Sequence, residues 1–67
     1  MGKDNNIPIE DCRRVIDGKT PHGGVKLVVY YFDDNGDLCR INDASRTRAI
    51  EIDKNGQVIF EIYGTKP

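Results

Sequence analysis

Asp33, Asn35 and Asp37, three oxygen-bearing side chains at alternate positions, come nearest in this chain to a spacing that does chemistry. Oxygen ligands recur in this way at the start of a calcium loop. The match then ends, because the sixth position, where such a loop has glycine, is Leu38, and the twelfth, where it has a bidentate Glu, is Ala44. Turn chemistry explains the same residues better. Phe32-Asp33-Asp34-Asn35-Gly36-Asp37-Leu38 returns twenty positions later as Ile52-Asp53-Lys54-Asn55-Gly56-Gln57-Val58. In both copies Asp can hold the first turn position with its side chain, Asn suits the bridge region and Gly supplies a left-handed conformation.

The other reactive types carry less. Gly18-Lys19-Thr20 echoes the end of a phosphate-binding loop, but the earlier glycine is missing and a helix is expected before it, where such a loop has a strand. His22, between Pro21 and Gly23, has no second histidine with which to share a metal and reads as a solvated loop residue. Cys12 and Cys39 lie far apart, form no CxxC pair and have no flanking base, so they read as buried thiols. No catalytic residue, metal or cofactor is expected. What remains is arginine: Arg40, Arg46 and Arg48 in or beside the expected second and third strands, Arg13 and Arg14 on the expected helix, with Tyr30 or Tyr63 able to lie beside them. Such a patch suits phosphates or an acidic protein. Cross-strand pairing with Glu51, Glu61, Asp43 and Asp53 is the competing use of the same side chains.

These residues need elements to position them. Residues 8–17 begin with Pro and two acids, end before Gly18 and place Ile9, Cys12 and Ile16 on one stripe, which predicts a short amphipathic helix. Residues 18–24 read as a loop. Residues 25–32 are β-branched and aromatic and form the clearest strand, answered after the first turn by 38–41; residues 47–52 and 58–63 form the second hairpin. A four-residue turn with a glycine bulge would set Ile52 against Val58, Ile50 against Phe60 and Arg48 against Ile62. In the first hairpin it would set Phe32 against Leu38 and Tyr30 against Arg40 on one face, and Tyr31 against Cys39 and Val29 against Ile41 on the other. Both faces of that hairpin are then apolar. Such a strand is covered above and below, or meets another molecule.

The expected fold is therefore α+β: one small domain over residues 1–67, with a short N-terminal helix on a four-stranded antiparallel sheet made of two hairpins. Residues 1–7 are expected to be flexible and 64–67 frayed. With the strands counted from 25–32, the favoured order is 2-1-4-3, a meander or a small closed barrel being the alternatives. The Asp-x-x-Gly tips resemble those of YD-type repeats and of some propeller blades, and residues 45–53 with 58–61 are similar to one blade hairpin of arylsulfotransferase-like propellers. That likeness covers less than half the chain and implies hairpin geometry only, since none of that family's catalytic histidines has a counterpart motif here.

A chain of 67 residues buries only about 60% of its unfolded surface, so a partner would add materially to its stability. A net charge of −1 gives no general attraction to nucleic acid or to an acidic membrane. No apolar segment near the amino terminus suggests a signal peptide or span, and a cytoplasmic location is expected. The functional expectation is a non-enzymatic module that presents a sheet face or edge to a protein partner or to a second copy, through Val29, Tyr31 and Ile41 together with Arg40, Arg46 and Arg48. A small nucleic-acid-binding regulator using those three arginines is the alternative.

Overall fold

The computed structural model describes residues 7–65; the expected flexible start falls almost wholly outside them, as do the last two residues of the expected frayed end. Four antiparallel strands, β1 (Arg13–Asp17), β2 (Lys26–Phe32), β3 (Arg46–Ile52) and β4 (Val58–Thr65), form one sheet in the order β1-β2-β3-β4. The topology is a meander, neither the favoured 2-1-4-3 nor a meander of the expected strands: residues 13–17, expected as helix, supply the first strand, and 38–41, expected as the second, form none.

The helix expected over 8–17 is not formed. Pro8 opens a single 3-10 turn at Ile9–Asp11, and the chain then extends as β1. Ten residues gain little from a helix that cannot stand alone in water, whereas Val15 and Ile16 are β-branched and find partners in Val28 and Leu27. The glycine-rich loop closes this β1–β2 hairpin: Gly18 N–H donates to Val25 O and Gly23 N–H to Thr20 O, with Gly18 and Gly23 at φ +130° and +87°.

Both repeated tips are turns of one design. Asp33 Oδ1 accepts the N–H groups of Asn35 and Asp37 at 2.9 and 3.0 Å, and Asp53 Oδ1 accepts those of Asn55 and Gln57, both at 2.9 Å. Gly36 and Gly56 take φ +86° and +83°. After the second tip the chain returns directly as β4. After the first it does not. Leu38 makes an isolated bridge with Phe32 and Cys39 N–H donates to Tyr31 O, but a 3-10 turn at Ile41–Asp43 then carries the chain away. The expected Tyr30–Arg40 and Val29–Ile41 pairs are absent because β1 and β3 occupy both edges of β2.

Ile52 faces Val58 as expected, but a bulge at Glu51/Ile52 shifts the rest of the second hairpin by one residue, so Ile50 faces Glu61 and Arg48 faces Tyr63. Register then defines two faces. The arginine face carries Arg13, Val15 and Asp17 of β1, Lys26, Val28, Tyr30 and Phe32 of β2, Arg46, Arg48, Ile50 and Ile52 of β3, and Glu61, Tyr63 and Thr65 of β4. The opposite, histidine face carries Ile16, Leu27, Val29, Tyr31, Ala49, Glu51, Phe60 and Ile62. Among the described residues the buried apolar side chains are Cys12, Val28, Tyr31, Cys39 and Ile50, whereas eleven large apolar residues are exposed, five of them in β4. Both cysteines are buried thiols, as expected.

Candidate functional site

The surfaces available for recognition follow from which groups the sheet leaves without partners. Along an antiparallel strand, successive backbone N–H and C=O pairs point to alternate sides. Tyr31 N–H donates to Cys12 O and Tyr31 O accepts from Cys39 N–H, both on the β1 side. The even-numbered residues of β2 therefore pair with the even-numbered residues of β3, the odd-numbered residues of β3 pair with Phe60, Ile62 and Gly64, and Glu61, Tyr63 and Thr65 direct their backbone groups to the outer edge. That edge has no described strand beside it.

β4 is eight residues long and exposed throughout. Ile62 on the histidine face and Tyr63 on the arginine face are 55% and 69% exposed. Its single charge, Glu61, is already engaged: Arg48 Nε donates to Glu61 Oε2, the Tyr63 hydroxyl donates to the same oxygen at 3.3 Å, and the Arg48 guanidinium lies 5.9 Å from the Tyr63 ring centroid. The opposite edge differs. β1 has only five residues, Arg13-Arg14-Val15-Ile16-Asp17, three of them charged, and charge on a short edge strand is a common defence against unwanted pairing.

A concave site of about 530 Å³ adjoins the end of β4, lined by Phe32, Gly36, Arg46, Thr47, Tyr63, Gly64 and Thr65. Arg46 makes no ion pair or hydrogen bond with a described side chain.

The residues expected to bind a partner are not brought together. Arg46 and Arg48 share the arginine face, but Arg40 stands at the head of the second 3-10 turn with its Nη2 3.7 Å from Asp11 Oδ2. Tyr31 is buried and Val29 half-buried on the histidine face, while Ile41 is exposed in the 3-10 turn.

The second feature that sequence reasoning missed is His22. It stays exposed in its loop, as expected, with 49% of its side-chain surface open to solvent, and it also leans on the histidine face: its N–H donates to Glu51 Oε2 at 3.0 Å, its Nδ1 lies 2.5 Å from Glu51 Oε1, and its ring stacks on Phe60 with centroids 4.0 Å apart. Glu51 is only 2% exposed. Burial pushes its carboxyl pKa up, but hydrogen bonds from Thr20 and His22 outweigh that effect and hold it below the ordinary carboxylate value. Gly24 is required beneath this loop, since a Cβ there would lie 2.7 Å from Thr20 Oγ1 and 2.8 Å from Ile52 O. Among the described residues no three His, Cys, Asp or Glu side chains gather where they could hold a metal.

Among known proteins, no family model, no curated protein and no solved structure matches the chain.

Proposed function

We propose that the protein is a non-enzymatic interaction module that works by strand addition, with the outer edge of β4 receiving an extended segment of a protein partner. The observation that carries this reading is the outward backbone groups of Glu61, Tyr63 and Thr65 on a long strand with apolar side chains on both faces. Main-chain hydrogen bonds supply affinity in this mode, and alternate side chains supply selectivity. Ile62 and Phe60 offer an apolar surface below the added strand, and Tyr63 with the Arg48–Glu61 pair offers a polar one above it. The test compares Ile62→Lys in β4 with Ile16→Lys in β1, both exposed positions on the histidine face. Capture of the partner strand is abolished by the first and kept by the second; equal behaviour of the two variants contradicts the proposal.

A second reading is favoured by one observation, the uncommitted Arg46 beside Phe32 and Tyr63 in the concave site. Aromatic rings and a free guanidinium on one sheet face suit a single-stranded nucleic acid, with bases stacked and a phosphate held. That reading predicts salt-sensitive binding of a fluorescent oligonucleotide, lost in Arg46→Ala and Tyr63→Ala; no binding at low salt removes it.

A further inference from the structure

We infer that the strand received at the β4 edge is β4 of a second copy of this chain, running antiparallel with Ile62 opposite Ile62. This inference rests on the reading of β4 as a receptive edge and specifies its occupant and register.

The argument begins with parity. A two-fold axis pairs residue i of one copy with residue j of the other at a constant sum, and ladder hydrogen bonds form only where outward-directed groups meet outward-directed groups. The outward residues are Glu61, Tyr63 and Thr65, so the sum must be even and the axis must pass through a residue. Centring on Glu61 sets two carboxylates directly opposite, which is destabilising. Centring on Phe60 draws the irregular stretch where Val58 meets Ile52 and the adjacent turn into the ladder. Centring on Tyr63 leaves Phe60 unpaired within the described strand. Centring on Ile62 avoids all three faults.

In that register Glu61 pairs with Tyr63 of the second copy, Phe60 with Gly64, and Ile59 with Thr65. The Tyr63 hydroxyl already donates to Glu61 within its own chain, and the same donor and acceptor then meet across the axis. On the histidine face the two Ile62 side chains form a non-hydrogen-bonded pair, the closer of the two kinds, while Phe60 covers the bare backbone of Gly64. The strand complements itself: its one carboxylate is neutralised by Arg48 of the same chain, and no other charge lies in β4. A second copy also covers apolar surface where the chain exposes most of it, since five of the eleven exposed large apolar side chains among the described residues lie in β4, and a chain of this size has little core of its own in which to bury them.

The decisive experiment is a cysteine scan of the full chain under mild oxidation, with light scattering on the wild type. Ile62→Cys gives a covalent dimer on a non-reducing gel. Ile59→Cys alone does not, whereas the double variant Ile59→Cys/Thr65→Cys does; the buried native thiols leave the wild type unlinked. Cross-linking by Ile59→Cys in preference to Ile62→Cys overturns the register. A wild type that stays monomeric by light scattering at millimolar concentration overturns the second copy as occupant. In that event a synthetic peptide of residues 58–65, added to labelled protein, separates the two levels. Amide shifts confined to Glu61, Tyr63 and Thr65 would leave the strand-addition reading standing, and no shift there would remove that reading as well.

Discussion

At the scale of single residues, Glu51 is the most constrained group in the molecule. It is a buried carboxylate whose two oxygens are both taken by His22, and Phe60, its register partner, holds the imidazole by stacking. Because its folded pKa lies below its reference value of 4.5, its ionised form adds stability that is fully present above that value and is lost as pH falls through the depressed folded pKa. Acid titration followed by circular dichroism should therefore show a loss of stability beginning near pH 4.5, and Glu51→Gln should flatten that slope while lowering stability at neutral pH. Ser45 is the opposite case. Its hydroxyl is buried with no hydrogen-bond partner among the described residues, so Ser45→Ala should raise stability by about 1 kcal/mol in a denaturant melt, the desolvation cost of an unpaired hydroxyl being removed. Gly56, at φ +83° with open space around it, gives a third test: Gly56→Ala should cost about 1 kcal/mol through backbone strain alone.

At the scale of elements, the middle of the sheet and its edges should respond differently. Ile50 is buried at the centre of β3, and Ile50→Ala should cost about 2 to 3 kcal/mol by leaving a cavity. Ile62→Lys, on an exposed edge, should change the stability of the single chain by about 0.5 kcal/mol or less while abolishing strand capture. The elements legible in the sequence were those set by local chemistry. The two Asp-x-Asn-Gly tips carry their own hydrogen bonds and left-handed glycines, and the β-branched run of β2 has only one good conformation. Those fixed by competition were not legible. Ile9, Cys12 and Ile16 fit a helical stripe, yet Val15 and Ile16 gain more beside β2, and only the whole sheet decides that contest. Likewise β2 accepts a ladder from β3 over its full length but only a bridge from Leu38. The one-residue shift in the second hairpin comes from a bulge with no residue signature of its own, and it moved Tyr63 opposite Arg48.

The candidate site was legible to a similar extent. Exposed apolar side chains on a strand could be anticipated, but on β2, where β1 and β3 have since taken both edges; the surplus lies on β4. Of the three arginines expected to form a patch, Arg46 and Arg48 lie on one face, whereas Arg40 is separated from them where the second 3-10 turn leaves the sheet. His22 carried no sequence signal beyond its place in a glycine-rich loop, because its partner Glu51 lies 29 positions away.

At the scale of the whole molecule, a single-layer sheet with one charged edge and one apolar edge is asymmetric in what it can accept. If the apolar edge pairs with its own copy, stability becomes dependent on protein concentration, since dimerisation favours the folded state by mass action. The melting temperature should rise with concentration for the wild type and stay constant for Ile62→Lys. The most direct test is residue-resolved amide hydrogen exchange read by NMR at high and low protein concentration. The outward amides of Glu61, Tyr63 and Thr65 should exchange slowly in concentrated protein and speed up on dilution, while those of Arg13 and Val15 at the β1 edge exchange fast throughout. Equally fast exchange at both edges at every concentration would contradict the account of β4 as an edge built to be paired.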